Sequence, residues 1–287
     1  RARDLAEMRR CVADNKRSPR RFLQGKVFGV RPVGNGSAVV EVTRGTLRVM
    51  IQAEDFFHFS QMKGIENDDE ATRQRRFLRK AKLMNGAIIN FCPYLEAESE
   101  DGEVVFAGSR QDAMQLQRNR HFFGRNADVK EGTRAAASIL STGPDYVIAE
   151  ALGVETSIGA AALSAYEYID NVADKFHVGE GIPVVIEDLN VDAENGTVSL
   201  RMNRAILERR ANPAMNIHSL ARGGAYGATV TSVNERCYRL IVEVGNFQAR
   251  VALTSSDELL TRGDRVTLLV YGYDDKRIYV WGACHKV

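Results

Sequence analysis

Short stretches of this chain alternate apolar and polar residues with a period of two, and the stretches return in the same order. VVEVTRGTLRVMI (residues 39–51) and IVEVGNFQARVAL (241–253) share Val-Glu-Val, an Arg seven residues after the Glu, and then Val with an apolar residue two further on. IAEALGVETSIGA (148–160) keeps Glu150 in that place, with Ser157 standing where the others have Arg. Upstream of each lies an apolar pair: Val30 and Val33, Ala136 and Ile139, Val230 and Val233. Downstream comes a Gly and renewed alternation: Gly86-Ile89-Phe91, Gly181-Val184-Ile186, Gly263-Val266-Leu268. A polar turn and a last apolar stretch close each set: EDGEVVFAG, AENGTVSLR and YDDKRIYVW. Alternation bounded by Gly, Asn and Asp predicts half-buried strands joined by tight turns. An order that recurs three times predicts three copies of one unit.

Each unit holds five short strands in about 70–95 residues. Five strands of that length close naturally into a small OB-type barrel. The predicted fold is mainly β, three tandem five-stranded OB-type barrels with connecting helices; unrelated antiparallel meanders are the alternative. Helical patterns fall at 4–16, within an insert at about 66–84 (ATRQRRFLRKAKL), at 109–123 and at 202–210, with short turns in LSAYEYIDNVADKF. This divides the chain into an N-terminal basic helix (1–21), barrel one (22–117), barrel two with a linking helix (118–210) and barrel three (211–287).

Charge separates the barrels. Residues 1–130 carry a net +7, residues 131–200 a net −10 and residues 201–287 a net +5. Basic ends around an acidic middle predict different partners for different parts. In the insert, Arg73, Arg75, Arg76, Arg79, Lys80 and Lys82 run without an intervening acid. Unopposed cations attract phosphates; docking on the acidic barrel is the equal alternative. In the third barrel, RIYVWG alternates Ile278 and Val280 with Tyr279 and Trp281. If the aliphatic pair is core, Tyr279 and Trp281 form an outward platform for base stacking. The same parity points Arg239 and Arg250 outward. The bland reading has Trp281 sealing the barrel end. It also has Glu41–Arg48 and Glu243–Arg250 as cross-strand ion pairs worth a few tenths of a kcal/mol.

The order of elements resembles the S-one RNA-binding domain, the repeat of the largest bacterial small-subunit ribosomal protein. ALS (162–164) is similar to that family's Leu-Ser after strand three. FHVGEGIPVVIEDLNVDAENGTVSLRMNRA is similar to its Gly-x-x-Val strand, Asp-containing turn, final strand and following helix. The resemblance spans 22–117, 131–208 and 222–283 and implies RNA binding. Asp192 and Asp274 occupy the family's turn Asp, and Arg277 its Arg. The family's aromatic positions on strand two hold Gly36 and Val39, Asp145 and Ile148, Tyr238 and Ile241, and no His ends strand three.

Catalytic signatures are missing: no GxxxxGK[ST], HExxH or GxSxG appears, and the five histidines are scattered. Cys11, Cys92, Cys237 and Cys284 form no CxxC pair, so neither a disulfide framework nor a metal site is expected. No apolar run approaches the roughly 18–20 residues of a membrane span. The sequence thus predicts a non-catalytic, cytoplasmic protein without cofactor, binding single-stranded RNA, with single-stranded DNA second. The site is Arg73, Arg75, Arg76, Arg79, Lys80, Arg239, Arg250, Arg277, Tyr279 and Trp281. A protein-interaction scaffold with a partner at acidic barrel two is the alternative.

Overall fold

The computed structural model describes residues 2–34, 37–57, 68–99, 101–125, 127–165, 168–169, 171–211, 217–234, 239–245, 247–253, 259–274 and 279–287. Helix α1 (Ala2–Asn15) leads into β1 (Leu23–Pro32), β2 (Ala38–Arg44) and β3 (Leu47–Gln52). A short α2 (Ala53–Phe56) and α3 (Glu70–Leu83) precede β4 (Ile88–Glu98) and β5 (Val104–Ser109). These strands form a closed barrel in the order β1-β2-β3-β5-β4, with β3 and β5 parallel and the other pairs antiparallel. That is the OB topology read from the alternation. Val27, Val40, Val42, Val49, Ile51, Ile89, Phe91 and Phe106 fill its interior.

Helix α4 (Arg110–Arg118) follows, its first turn capped by Ser109, whose side chain accepts from the Asp112 N–H. Then come β6 (Arg134–Thr142), β7 (Tyr146–Ala151), β8 (Val154–Gly159), α5 (Ala160–Leu163), β9 (Gly181–Asp192), β10 (Thr197–Asn203) and α6 (Ala205–Ala211). The second sheet has the same cyclic order but opens between β8 and β10. There Thr156 Oγ1 donates to the Leu200 carbonyl at 2.9 Å in place of a ladder. The third barrel, β11 (Ala225–Asn234), β12 (Arg239–Val244), β13 (Phe247–Leu253), β14 (Arg265–Asp274) and β15 (Tyr279–Lys286), closes like the first. Contacts divide the chain into two compact units, Arg1–Ile158 with Ala173–Met202, and Gly159–Val172 with Asn203–Val287.

The repeat is visible in its punctuation. Gly86, Gly179 and Gly263 all have positive φ, 90°, 87° and 96°. Each donates its N–H to the first strand of its barrel, at the Val27, Ile139 and Val230 carbonyls. One residue further along that strand is a bulge, at Phe28, Leu140 and Thr231. The sequence comparison matched Gly181 to the other two glycines; the hydrogen bonds select Gly179, two residues earlier.

The β7–β8 hairpin turns on Leu152 and Gly153, with φ of 55° and 78°. A two-residue turn of this hand needs positive φ at both centres. A β-carbon on Gly153 would collide with the Met114 carbonyl of α4 and lie 2.9 Å from Gln117 Cβ. Gly153→Ala is therefore expected to destabilise the first unit by about 2 kcal/mol through left-handed strain and the displaced helix. A lowered urea midpoint for that unit's transition checks this.

Candidate nucleic-acid interface

Helix α3 begins at Asp69, whose carboxylate accepts from the Thr72 N–H at 2.7 Å and so satisfies an otherwise orphan donor. That bond holds the Asp69 carboxyl below the usual carboxylate range. The cap is therefore present above the unfolded-state value and lost only as pH falls through the depressed one. Phe77 and Ala81 face inward, and the helix packs chiefly on β1 and β2 and reaches β6. Gln74 fixes its rotation by donating to the Val33 and Ser37 carbonyls at 2.7 and 2.9 Å.

With the apolar stripe inward, Arg75, Arg76, Arg79 and Lys82 are exposed. Arg75 leans on the helix, donating to the Ala71 carbonyl and the Thr72 hydroxyl. Arg76 pairs with Asp68 at 2.9 Å. Arg73 is half-buried. Lys80 turns inward, its ammonium 4.9 Å from the Phe57 ring centroid, and burial lowers its pKa although Glu155 of barrel two opposes the shift. Lys80 is thus removed from the predicted phosphate-facing set. The same unit exposes an aromatic that the sequence did not single out: the β1 bulge turns Phe28 outward, 69% exposed.

In barrel three Val280 is fully buried and Trp281 is 45% exposed, so Trp281 faces out as its parity predicts. Trp281 lies opposite Gly272 on β14, where the register slips at Tyr271. Cross-strand partners project to the same face, so the indole side of this pair faces a residue with no side chain. A β-carbon on Gly272 would lie 3.1 Å from Arg222 Nη2. Arg222 Nε donates to the Tyr271 carbonyl at 3.0 Å, and Tyr271 itself is 51% exposed.

Arg222 sits on a strap before β11 that is pinned to β14 by Gly223 N–H to Val270 O and Val270 N–H to Gly224 O, at 2.7 and 3.0 Å. The Tyr226 hydroxyl accepts from Ala221 N–H at 2.6 Å, and the Tyr273 hydroxyl donates to the Leu220 carbonyl. The strap thereby fixes Arg222 beside the bulge, with Tyr271 exposed at it and Trp281 exposed opposite Gly272. Arg222 and Tyr271 escaped the sequence reading because the bulge that exposes Tyr271 breaks the alternation on which the reading relied.

Two expectations for the arginines fail. Arg250 is buried, donating to the Ser164 and Ala165 carbonyls at 2.7 and 3.2 Å. It points away from the barrel interior, as parity requires, but the chain around α5 covers it. It stands opposite Ile241, with Glu243 opposite Gln248, and its guanidinium is taken up by the two carbonyls in place of Glu243. Glu41 and Arg48 do pair, at 2.6 Å. Arg239 is half-buried on β12. Arg277 and the side chain of Tyr279 lie outside the described residues.

A buried charge network that the sequence reading missed lies in the first unit. Arg110, at 0% exposure, donates to Glu150, to Glu155 at 3.1 Å and to the Phe56 carbonyl at 3.1 Å. Burial works against its charge, but the two carboxylates outweigh it and raise its pKa. Burial also pushes the Cys92 and Cys284 thiols up to about 12, so both stay protonated and unreactive near neutrality. Among the described residues no cluster of His, Cys, Asp and Glu could hold a metal. No helix among them is long and apolar enough to cross a membrane.

No family model matches the chain, and no curated protein matches it. Solved structures give distant likenesses. A multidomain protein with nucleic acid binding domains from Streptococcus pneumoniae TIGR4 is 10% identical with a TM-score of 0.22, covering 92% of this chain and 73% of that one. The a/eIF2alpha-aDim2p-rRNA complex from Pyrococcus horikoshii OT3 is 16% identical with a TM-score of 0.23, covering 31% and 53%. The Ifi202 HINa domain in complex with double-stranded DNA is 9% identical with a TM-score of 0.19, covering 93% and 94%. The fold rests on strand order and pairing, which need none of these.

Proposed function

We propose that this protein is a non-catalytic, cytoplasmic binder of single-stranded RNA, with single-stranded DNA as the second substrate, built from S-one-like OB barrels. The observation that carries the reading is the barrel-three patch, where Trp281 opposes Gly272 beside the Arg222 guanidinium and Tyr271 is exposed at the adjoining bulge. A flat ring open to solvent and a guanidinium beside it suit a base and its phosphate, and stacking tolerates any sequence. The exposed α3 arginines supply the electrostatic half.

Trp281→Ala tests the reading. Anisotropy with a labelled single strand of about 20 nucleotides, longer than one OB site, is expected to show roughly 5- to 150-fold weaker binding. The salt slope should not change, because no phosphate contact is lost. Undiminished affinity would remove barrel three from the interface.

A second reading, a protein partner at acidic barrel two, is favoured by the β9–β10 hairpin, where Glu194 is exposed and Glu187 and Asp188, also exposed, share one cation, Arg201, at 3.2 and 3.8 Å. Such a surface repels phosphates and suits a basic partner.

A further inference from the structure

The loop between α1 and β1, residues 16–21, carries Lys16, Arg17, Arg20 and Arg21. With Ala13 and Asp14 these four line an open cleft of about 500 Å³. We propose that this cleft is a preorganised cradle for the phosphodiester backbone of the bound strand, an N-terminal contact separate from α3 and barrel three. The assignment of its ligand to nucleic acid rests on the function proposed above.

The loop is built rather than merely basic. Asn15 is buried, and its side-chain oxygen accepts from the Arg20 and Arg21 N–H groups, both at 2.9 Å. Its amide donates to the Arg21 carbonyl at 2.9 Å and to the Pro93 carbonyl of β4 at 3.0 Å. The Cys11 thiol also donates to the Arg21 carbonyl. One side chain therefore folds the loop back on itself and ties it to barrel one. The backbone entropy of the loop that carries these cations is therefore lost on folding and not on binding.

The charges are not consumed internally. Lys16, Arg17 and Arg20 are exposed and have no partner among the described residues; Arg21 pairs with Asp14 at 3.0 Å. The C-terminal end of α1 accounts for part of this, since its partial negative charge favours cations. That end is equivalent to about half an elementary charge, so it leaves a surplus of more than two cations. Like charges fixed this close repel, and an anion relieves the repulsion. The cleft falls within the size range of small-molecule sites, wider than one inorganic phosphate fills, so successive phosphates of a strand fit it better than a lone ion.

The experiment uses the full chain and the variant Lys16→Ala/Arg17→Ala/Arg20→Ala, whose side chains are all exposed and whose unchanged circular dichroism confirms folding. The first arm titrates labelled single-stranded RNA at a series of salt concentrations. Losing three phosphate contacts should lower the magnitude of the log–log salt slope by about 2, with the variant's affinity below that of the wild type at low salt. A normal slope in a variant that still binds overturns the cradle while leaving the RNA reading intact. The second arm follows the Arg20 and Arg21 amide resonances during titration with tripolyphosphate. If the wild type binds no RNA, the function reading fails and this arm decides the cradle. Saturable shifts lost in the variant keep it as a phosphate site with a different ligand, and silent amides overturn it.

Discussion

Arg110→Ala is expected to destabilise the first unit by roughly 3–5 kcal/mol, the range seen when one member of a buried ion pair is removed. Arg110 is the largest fully buried side chain among the described residues, and Glu150 and Glu155 both point their carboxylates at it. Its loss leaves Glu150 and Glu155 in low dielectric without the guanidinium that compensates them, and the Phe56 carbonyl without the Arg110 N–H. The guanidinium also lies 5.3 Å from the Phe56 ring, so packing is lost with the charge. Urea denaturation of the first unit measures this. Adding Glu150→Gln and Glu155→Gln to Arg110→Met should recover most of the stability, because the cost lies in the buried negative charge left uncompensated and not in the missing contact. A single variant that loses less than about 1 kcal/mol would show that water already reaches these carboxylates.

The same residues show what the sequence could and could not reveal. Strand positions and most of the inward faces were legible, because alternation reports parity and parity survives error. Pairing was not. The hydrogen-bonded register aligns Val42 with Ala149 and Val242, opposite Val27, Ile139 and Val230 in turn. In that alignment Glu243 and Glu150 match Thr43, and Arg250 matches Met50, so the apparent Val-Glu-Val match between barrels one and three is displaced by two residues. A shift of two leaves every side chain on its own face, which is why the faces came out right, while the Glu243–Arg250 pair gives way to the carbonyls that take the Arg250 guanidinium. Arg250 was further misjudged because outward from a barrel is not outward to solvent: residues 164–165 cover it. Arg110 gave no local signal at all. Its partners are 40 and 45 residues away, on a second barrel whose placement no periodicity encodes. In the candidate site, the exposed face of α3 and Trp281 were legible from helical and strand periods. Arg222 and Tyr271 depend on a bulge and a strap, and these follow from tertiary hydrogen bonds.

The α3 face carries the other large effect. Arg75→Glu/Arg76→Glu/Arg79→Glu is expected to weaken single-stranded RNA binding by more than about 100-fold near 0.1 M salt. Each lost phosphate contact removes about 0.7 from the log–log salt slope of a single strand, and reversal adds repulsion to that loss. The helix itself should persist. The three positions are exposed, Phe77 and Ala81 keep their packing, and the Asp69 cap keeps its bond from the Thr72 N–H, losing only the support of Arg75 on the Thr72 hydroxyl. The Arg76–Asp68 pair is lost, but an exposed pair contributes at most about 1 kcal/mol. Three glutamates just after Asp68, Asp69 and Glu70 do add local repulsion, so Arg75→Gln/Arg76→Gln/Arg79→Gln serves as the neutral companion. It should lower the slope by about 2 with the fold unchanged. Because α3 and the N-terminal cradle have separate phosphate contacts in this scheme, their neutral variants should add in log affinity. A neutral α3 variant that keeps the wild-type slope would mean that the strand bypasses the helix. The exposed arginines would then be left to a protein surface, and the second reading would gain what the first lost.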